Sequence, residues 1–123
     1  MNKEILYKDI DGLLSKIDFI QEEQALIKRK LSGLLEQVVS NDIIEWAEEL
    51  HQQILNREAA LQLLRKDIIA FKKTITLKKS LIYFVENQYV KLITKYDEQI
   101  AYLDNEFKVW SKLTCEKFDA ILA

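Results

Sequence analysis

Glu48 and His51 lie three residues apart, so any helix that carries them projects both from one face. A Glu-x-x-His pair on each of two helices is the ligand set with which bundle proteins hold two iron or manganese ions. His51 is the only histidine in the chain, so the second pair cannot be supplied. His51 therefore reads as a flank residue beside Leu50 and Ile54, and no metal is expected. Cys115 is the only cysteine. A thiol nucleophile needs a base and an orienting group, and the one imidazole is far away along the chain. No glycine-rich loop, nucleophile elbow or oxyanion-hole turn is present to complete such a site, and no phosphate cradle. Cys115 reads as a small thiol on a helix face. The expectation is a noncatalytic protein with no catalytic residue and no cofactor.

The one cluster of charge is basic: Arg65, Lys66, Lys72, Lys73, Lys78 and Lys79, offset only by Asp67. Phe71, Tyr83 and Phe84 lie nearby, and aromatics among cations can stack on the bases of a single strand. This segment is the basis of an alternative reading, a regulator that binds an acidic surface, either nucleic acid or anionic membrane. The whole chain carries a formal charge of −2, without the basic excess used to bind a phosphate backbone. Charge order gives the cluster a use inside the protein. Residues 4 to 23 hold Glu4, Asp9, Asp11, Asp18, Glu22 and Glu23 and are followed by Lys28-Arg29-Lys30; the segment after Asp42 is likewise acidic to Glu58 and then basic. Folding the two back at Ser40-Asn41 sets Asp9 near Lys72, Glu22 and Glu23 near Glu58 and Ala59, and Lys28 to Lys30 across from His51 to Ile54. Most opposed blocks then differ in sign, which selects antiparallel pairing. Nucleic acid is not the expected partner.

These residues must be positioned by helices. The chain has no proline and two glycines, Gly12 and Gly33, so the punctuation of hairpins and βα loops is missing. Leu6, Ile10, Leu13, Ile17, Ile20, Gln24, Ile27, Leu31, Leu34 and Val38 recur at alternating four- and three-residue steps, the seam of a coiled-coil helix with one polar member. A second seam runs Ala47, Leu50, Ile54, Arg57, Leu61, Leu64, Ile68, Phe71 and Ile75, widened by Leu55, Ala59, Ala60 and Leu63. Asp42 with Glu45 predicts a capping box at its start. The third segment fits an eleven-residue repeat, Leu81, Leu92, Leu103 and Thr114 beside Val85, Tyr96, Phe107 and Phe118, a period that does not wind as a regular left-handed coiled coil. Gly12 and Gly33 fall in similar stretches, Ile10 to Ile17 and Leu31 to Val38, on the same flank of the first helix. Each costs about 1 kcal/mol against alanine in a helix; chance similarity between two coiled-coil turns is the favoured reading, with close approach by another helix as the alternative.

At 123 residues the sequence predicts one domain, 1-123: an all-α antiparallel bundle or coiled coil of three long helices over about 3-39, 42-75 and 77-122. A break between Lys73 and Ser80 is favoured, with one continuous second and third helix as the alternative. Eight of the twelve aromatics lie between Tyr83 and Phe118, so the last third should carry much of the packing. If the third helix starts near Leu77, its end passes the first turn and either bends across Val38, Val39, Ile43 and Trp46 to cap the bundle or, as favoured, makes Leu103, Phe107, Trp110, Leu113, Phe118, Ile121 and Leu122 a protein interface. The expected partner is a second copy, as a dimer, or another helical protein. The first twenty residues mix acids with apolar positions and do not read as a signal peptide, and the longest apolar run, Leu81 to Val85, is too short to cross a bilayer. The lone cysteine suits a reducing compartment, and a cytoplasmic location is expected. Function is read as a structural, adaptor or chaperone-like module acting through helix-to-helix contacts.

Overall fold

A computed structural model describes residues 3–37, 40–77 and 83–123. It consists of three helices, α1 (Lys3–Gln37), α2 (Asn41–Leu77) and α3 (Tyr83–Leu122). The chain is an all-α bundle, as the seams predict. α1 and α2 run antiparallel, because Lys72, Arg65 and Glu58 of α2 meet Asp11, Asp18 and Lys28 of α1 in reverse order. α3 then runs beside α1 in the same direction, with Asp97 against Lys16 and Cys115 against Lys30. Since α3 is antiparallel to α2, the two cannot be one continuous helix. α2 ends at Leu77 and α3 begins at Tyr83, and residues 78–82 lie outside the described ones.

The core is the predicted seams brought together. Leu6, Ile10, Leu13, Ile17, Ile20, Ile27, Leu31 and Leu34 of α1 are buried against Ala47, Leu50, Ile54, Leu61, Leu64, Ile68, Phe71 and Ile75 of α2. Each such aliphatic side chain contributes about 1.5 to 3 kcal/mol by leaving water. α3 closes the third side with Tyr89, Ile100, Phe107 and Phe118, backed by Ile93, Tyr96, Leu103, Trp110 and Ile121. Its inward face holds Tyr89, Leu92, Tyr96, Ile100, Leu103, Phe107, Thr114 and Phe118, with Ile93, Trp110 and Ile121 packed beside them. The described members of the eleven-residue repeat thus all face the core along the length of α3. Aromatic pairs mark both ends of the bundle. Trp46 meets Phe118 edge-on at 5.4 Å, and Phe71 meets Tyr89 at 5.3 Å and Tyr96 at 5.9 Å.

Two details of α2 differ from the sequence reading. Its first bond runs from Ile44 N–H to the Ser40 carbonyl at 3.0 Å, so Ser40 occupies the cap. Asp42 sits inside the first turn, where its charge complements the helix dipole, and no capping box with Glu45 forms. The wide apolar arc is also not all internal, since Leu55 and Leu63 are exposed.

Candidate functional site

The bundle places polar chemistry at mid-length, where the two polar seam residues share one open groove. Gln24 of α1 is 3 % exposed, and its Oε1 has no hydrogen-bond partner. The groove is lined by Gln24, by Gln53, Asn56 and Arg57 of α2, and by Leu103 and Glu106 of α3. Arg57 lies over the Trp110 ring at 4.7 Å, and Trp110 Nε1–H donates to Gln53 Oε1 at 2.7 Å. Burial pulls the Arg57 pKa below its ordinary value, and the Glu106 carboxylate opposes that pull. This arrangement ties α3 to α2 where the two helices otherwise approach each other less closely than either approaches α1. Nothing in it provides a nucleophile paired with a base.

The other sequence candidates are separated by the fold. Glu48 and His51 are exposed beside Leu31, Leu35 and Ala47. Among the described residues no three His, Cys, Asp or Glu side chains gather as a metal site. Cys115 is half-buried with its Sγ 3.8 Å from Lys30 Nζ, on the α1 side of α3.

The basic segment is partly consumed by the hairpin. Arg65 pairs with Asp18 at 3.2 Å, and Lys72 pairs with Asp11 at 2.7 Å and lies 6.0 Å from the Tyr7 ring. Lys66 and Lys73 are exposed, while Lys78 and Lys79 lie outside the described residues. Phe71 is a core residue turned onto Tyr89 and Tyr96, so it is not free to stack on a base. The pairing partner of Lys72 is Asp11 instead of Asp9, and Lys28 meets Glu58 at 3.2 Å instead of the 51–54 stretch. The reason is helical phase. Asp11 and Asp18, one heptad apart, leave α1 on the flank that faces α2, whereas Asp9 leaves on the flank that carries Lys16 toward α3.

The expected tail interface is corrected residue by residue. Phe107 and Phe118 are 2 % and 3 % exposed, so they are core of this chain and offer no surface to a second one. Leu103, Trp110 and Ile121 are partly buried against the same core. Only Leu113 and Leu122 stand out, at 62 % and 56 % exposed. The overhang vanishes because α3 is set further along: Asp97 is level with Lys16, which brings Cys115 beside Lys30 and Phe118 onto Trp46.

Other apolar side chains take their place at the surface. On α3, Tyr102 and Val109 are 63 % and 64 % exposed and share an outer flank with Leu113. Tyr102 lies at the edge of an α2/α3 groove lined by Ala60, Leu64, Lys95, Glu98 and Leu103, and its hydroxyl donates to Glu106 Oε1 at 2.7 Å. That hydrogen bond to a carboxylate, with the charge of the carboxylate, raises the Tyr102 pKa. On α1, Phe19 and Leu26 are 58 % and 52 % exposed. Sequence reasoning followed the inward seams and passed over these residues. The available signal was a second apolar periodicity, Tyr102 to Val109 and Phe19 to Leu26, each one heptad apart outside the seam.

Compared with known protein families, curated proteins and solved structures, the chain matches none. No described helix is long and apolar enough to cross a membrane. The reading of function therefore stands on the surfaces alone.

Proposed function

We propose that this chain is a noncatalytic helical-bundle interaction protein, structural, adaptor or chaperone-like, that acts by offering helix faces to another helical protein or to its own copies. The observation that carries this reading is the outer flank of α3, where Tyr102, Val109 and Leu113 are each more than three-fifths exposed although the same helix has a full inward seam. A helix needs one apolar face to join the bundle, and a second aligned face has no use within it. A contiguous exposed apolar patch marks a protein contact. Each large side chain covered by a partner would contribute about 1.5 to 3 kcal/mol.

Affinity purification of the tagged protein from its native cell, run beside a Val109→Glu/Leu113→Glu double variant, tests the reading. Both positions are exposed, so the variant should keep its helical content and melting temperature while losing the stoichiometric partner. A partner retained by this variant but lost when Lys66, Lys72 and Lys73 become glutamine would move the reading to an acidic-surface binder. No partner for either protein, at any salt concentration, would refute it.

A further inference from the structure

We infer that the outer face of α1 is a self-complementary contact that joins two copies of this chain, antiparallel, about a twofold axis through Phe19. The inference rests on the reading of the chain as a helix-contact protein and names one partner and one surface for it. Positions 5, 12, 19, 26 and 33 form a single heptad line on α1, occupied by Ile5, Gly12, Phe19, Leu26 and Gly33. The line lies outside the seam, on the α3 side, where Phe19 edges a groove shared with Asp97, Ala101 and Asp104. Phe19, Leu26 and Ile5 are 58 %, 52 % and 49 % exposed. The two glycines meet nothing: a Cβ added to either would have no heavy atom within 4 Å. Glycine weakens a helix interior relative to alanine, and among the described residues no contact inside this chain gives a reason for it at either position.

A second copy supplies the reason. Phe19 is the midpoint of the line, so antiparallel pairing about it sets Phe19 against Phe19 and Leu26 of one copy against Gly12 of the other. Ile5 and Gly33 extend the same alternation, large against absent, which lets the two backbones approach without clash. Parallel pairing would set glycine against glycine and leave the gaps open. The charges agree with the shape. On the α3 side of the line run Asp9, Lys16, Glu23 and Lys30. A perpendicular twofold axis keeps like flanks together, so Asp9 faces Lys30 of the second copy and Lys16 faces its Glu23, each twice. All four contacts are of opposite sign. Among the described residues neither Asp9 nor Glu23 has an ion pair of its own, whereas Lys16 also holds Asp97 at 2.7 Å. The opposite flank sets Lys8 against Arg29 of the second copy, a like-charged contact also made twice, at the two outer ends of the contact and open to solvent. The contact from residue 5 to residue 33 spans about 42 Å of helix at 1.5 Å per residue.

Sedimentation equilibrium of the full chain over a wide range of concentration should show a monomer–dimer equilibrium. Gly12→Leu fills the slot that receives Leu26 while meeting open space in the single chain. Its dilute melting temperature should hold or rise while dimer affinity falls by roughly tenfold or more, which separates a lost contact from a lost fold. Lys16→Glu should weaken the dimer by a similar factor, and adding Glu23→Lys should restore it. A chain that stays monomeric at every concentration overturns the inference, as does a dimer indifferent to both Gly12→Leu and Lys16→Glu. If that dimer is instead lost in Val109→Glu/Leu113→Glu, the contact lies on α3, and the functional reading survives without this surface. A monomer that also captures no partner from its native cell refutes both.

Discussion

Gln24 shows how one residue can weigh on the whole core. It occupies a seam position of α1, is nearly without exposure, and its Oε1 accepts no hydrogen bond. A buried polar group left unsatisfied costs about 1 to 3 kcal/mol, while an apolar replacement of similar shape removes that penalty. Gln24→Leu should therefore raise stability by about 1 to 3 kcal/mol, read as a higher urea midpoint with an unchanged slope. Trp110 carries the opposite sign. Its Nε1–H to Gln53 and its ring beneath Arg57 join α3 to α2, and Trp110→Leu loses both contacts at once. That variant should lose about 1 to 3 kcal/mol by the same urea measurement, the sum of a net hydrogen bond and a half-exposed cation–π contact.

Among the elements, α3 departs most from its sequence reading, and the end of α3 tests the correction. Truncation after Lys112 removes Thr114 and Phe118, both buried, and strips the edge-on contact from Trp46. Loss of a buried Phe side chain alone costs about 3 to 5 kcal/mol, so the shortened protein should melt markedly lower than the full chain. Leu113→Ser touches a residue 62 % exposed and should move stability by about 0.5 kcal/mol or less. Equal melting temperatures for the truncated and full-length proteins would mean that the end of α3 is not packed on α2. The altered setting of α3 was not legible in the sequence, because no residue near 77 fixes where a helix must begin. Without a proline or glycine there, the starting point is decided by which side chains of α3 fit the groove between α1 and α2.

For the molecule as a whole, three ion pairs record the path of the chain. Lys72 with Asp11 and Lys28 with Glu58 place α2 against α1, and Lys16 with Asp97 places α3 along α1. Each is open to solvent and contributes about 0 to 1 kcal/mol, so salt should alter stability only slightly. Their value is as markers. Zero-length carbodiimide cross-linking of dilute protein should join the peptide with Lys16 to the one with Asp97, and the peptide with Lys28 to the one with Glu58. Recovery of Lys16 joined to acids near the end of α3 would show that α1 and α3 run in opposite directions and would overturn the arrangement.

The sequence by itself determined the helices, their inward seams and the antiparallel hairpin. Those features follow from side-chain periodicity and charge order, which act between neighbours along one helix or between blocks large enough to tolerate a shift of several residues. It also showed Gln24 and Arg57 as polar members of two seams and placed Gly12 and Gly33 on one flank of α1. Only the tertiary structure decided that the two polar residues share one groove, that Lys72 takes Asp11 in place of Asp9, and that Phe107 and Phe118 belong to the core. Only the fold, too, left Phe19, Leu26, Tyr102 and Val109 outside. Periodicity identifies a stripe on a helix but not what lies across from it, because that depends on where each helix is set along its neighbours. Here that setting comes from the packing of α3 against both other helices at once.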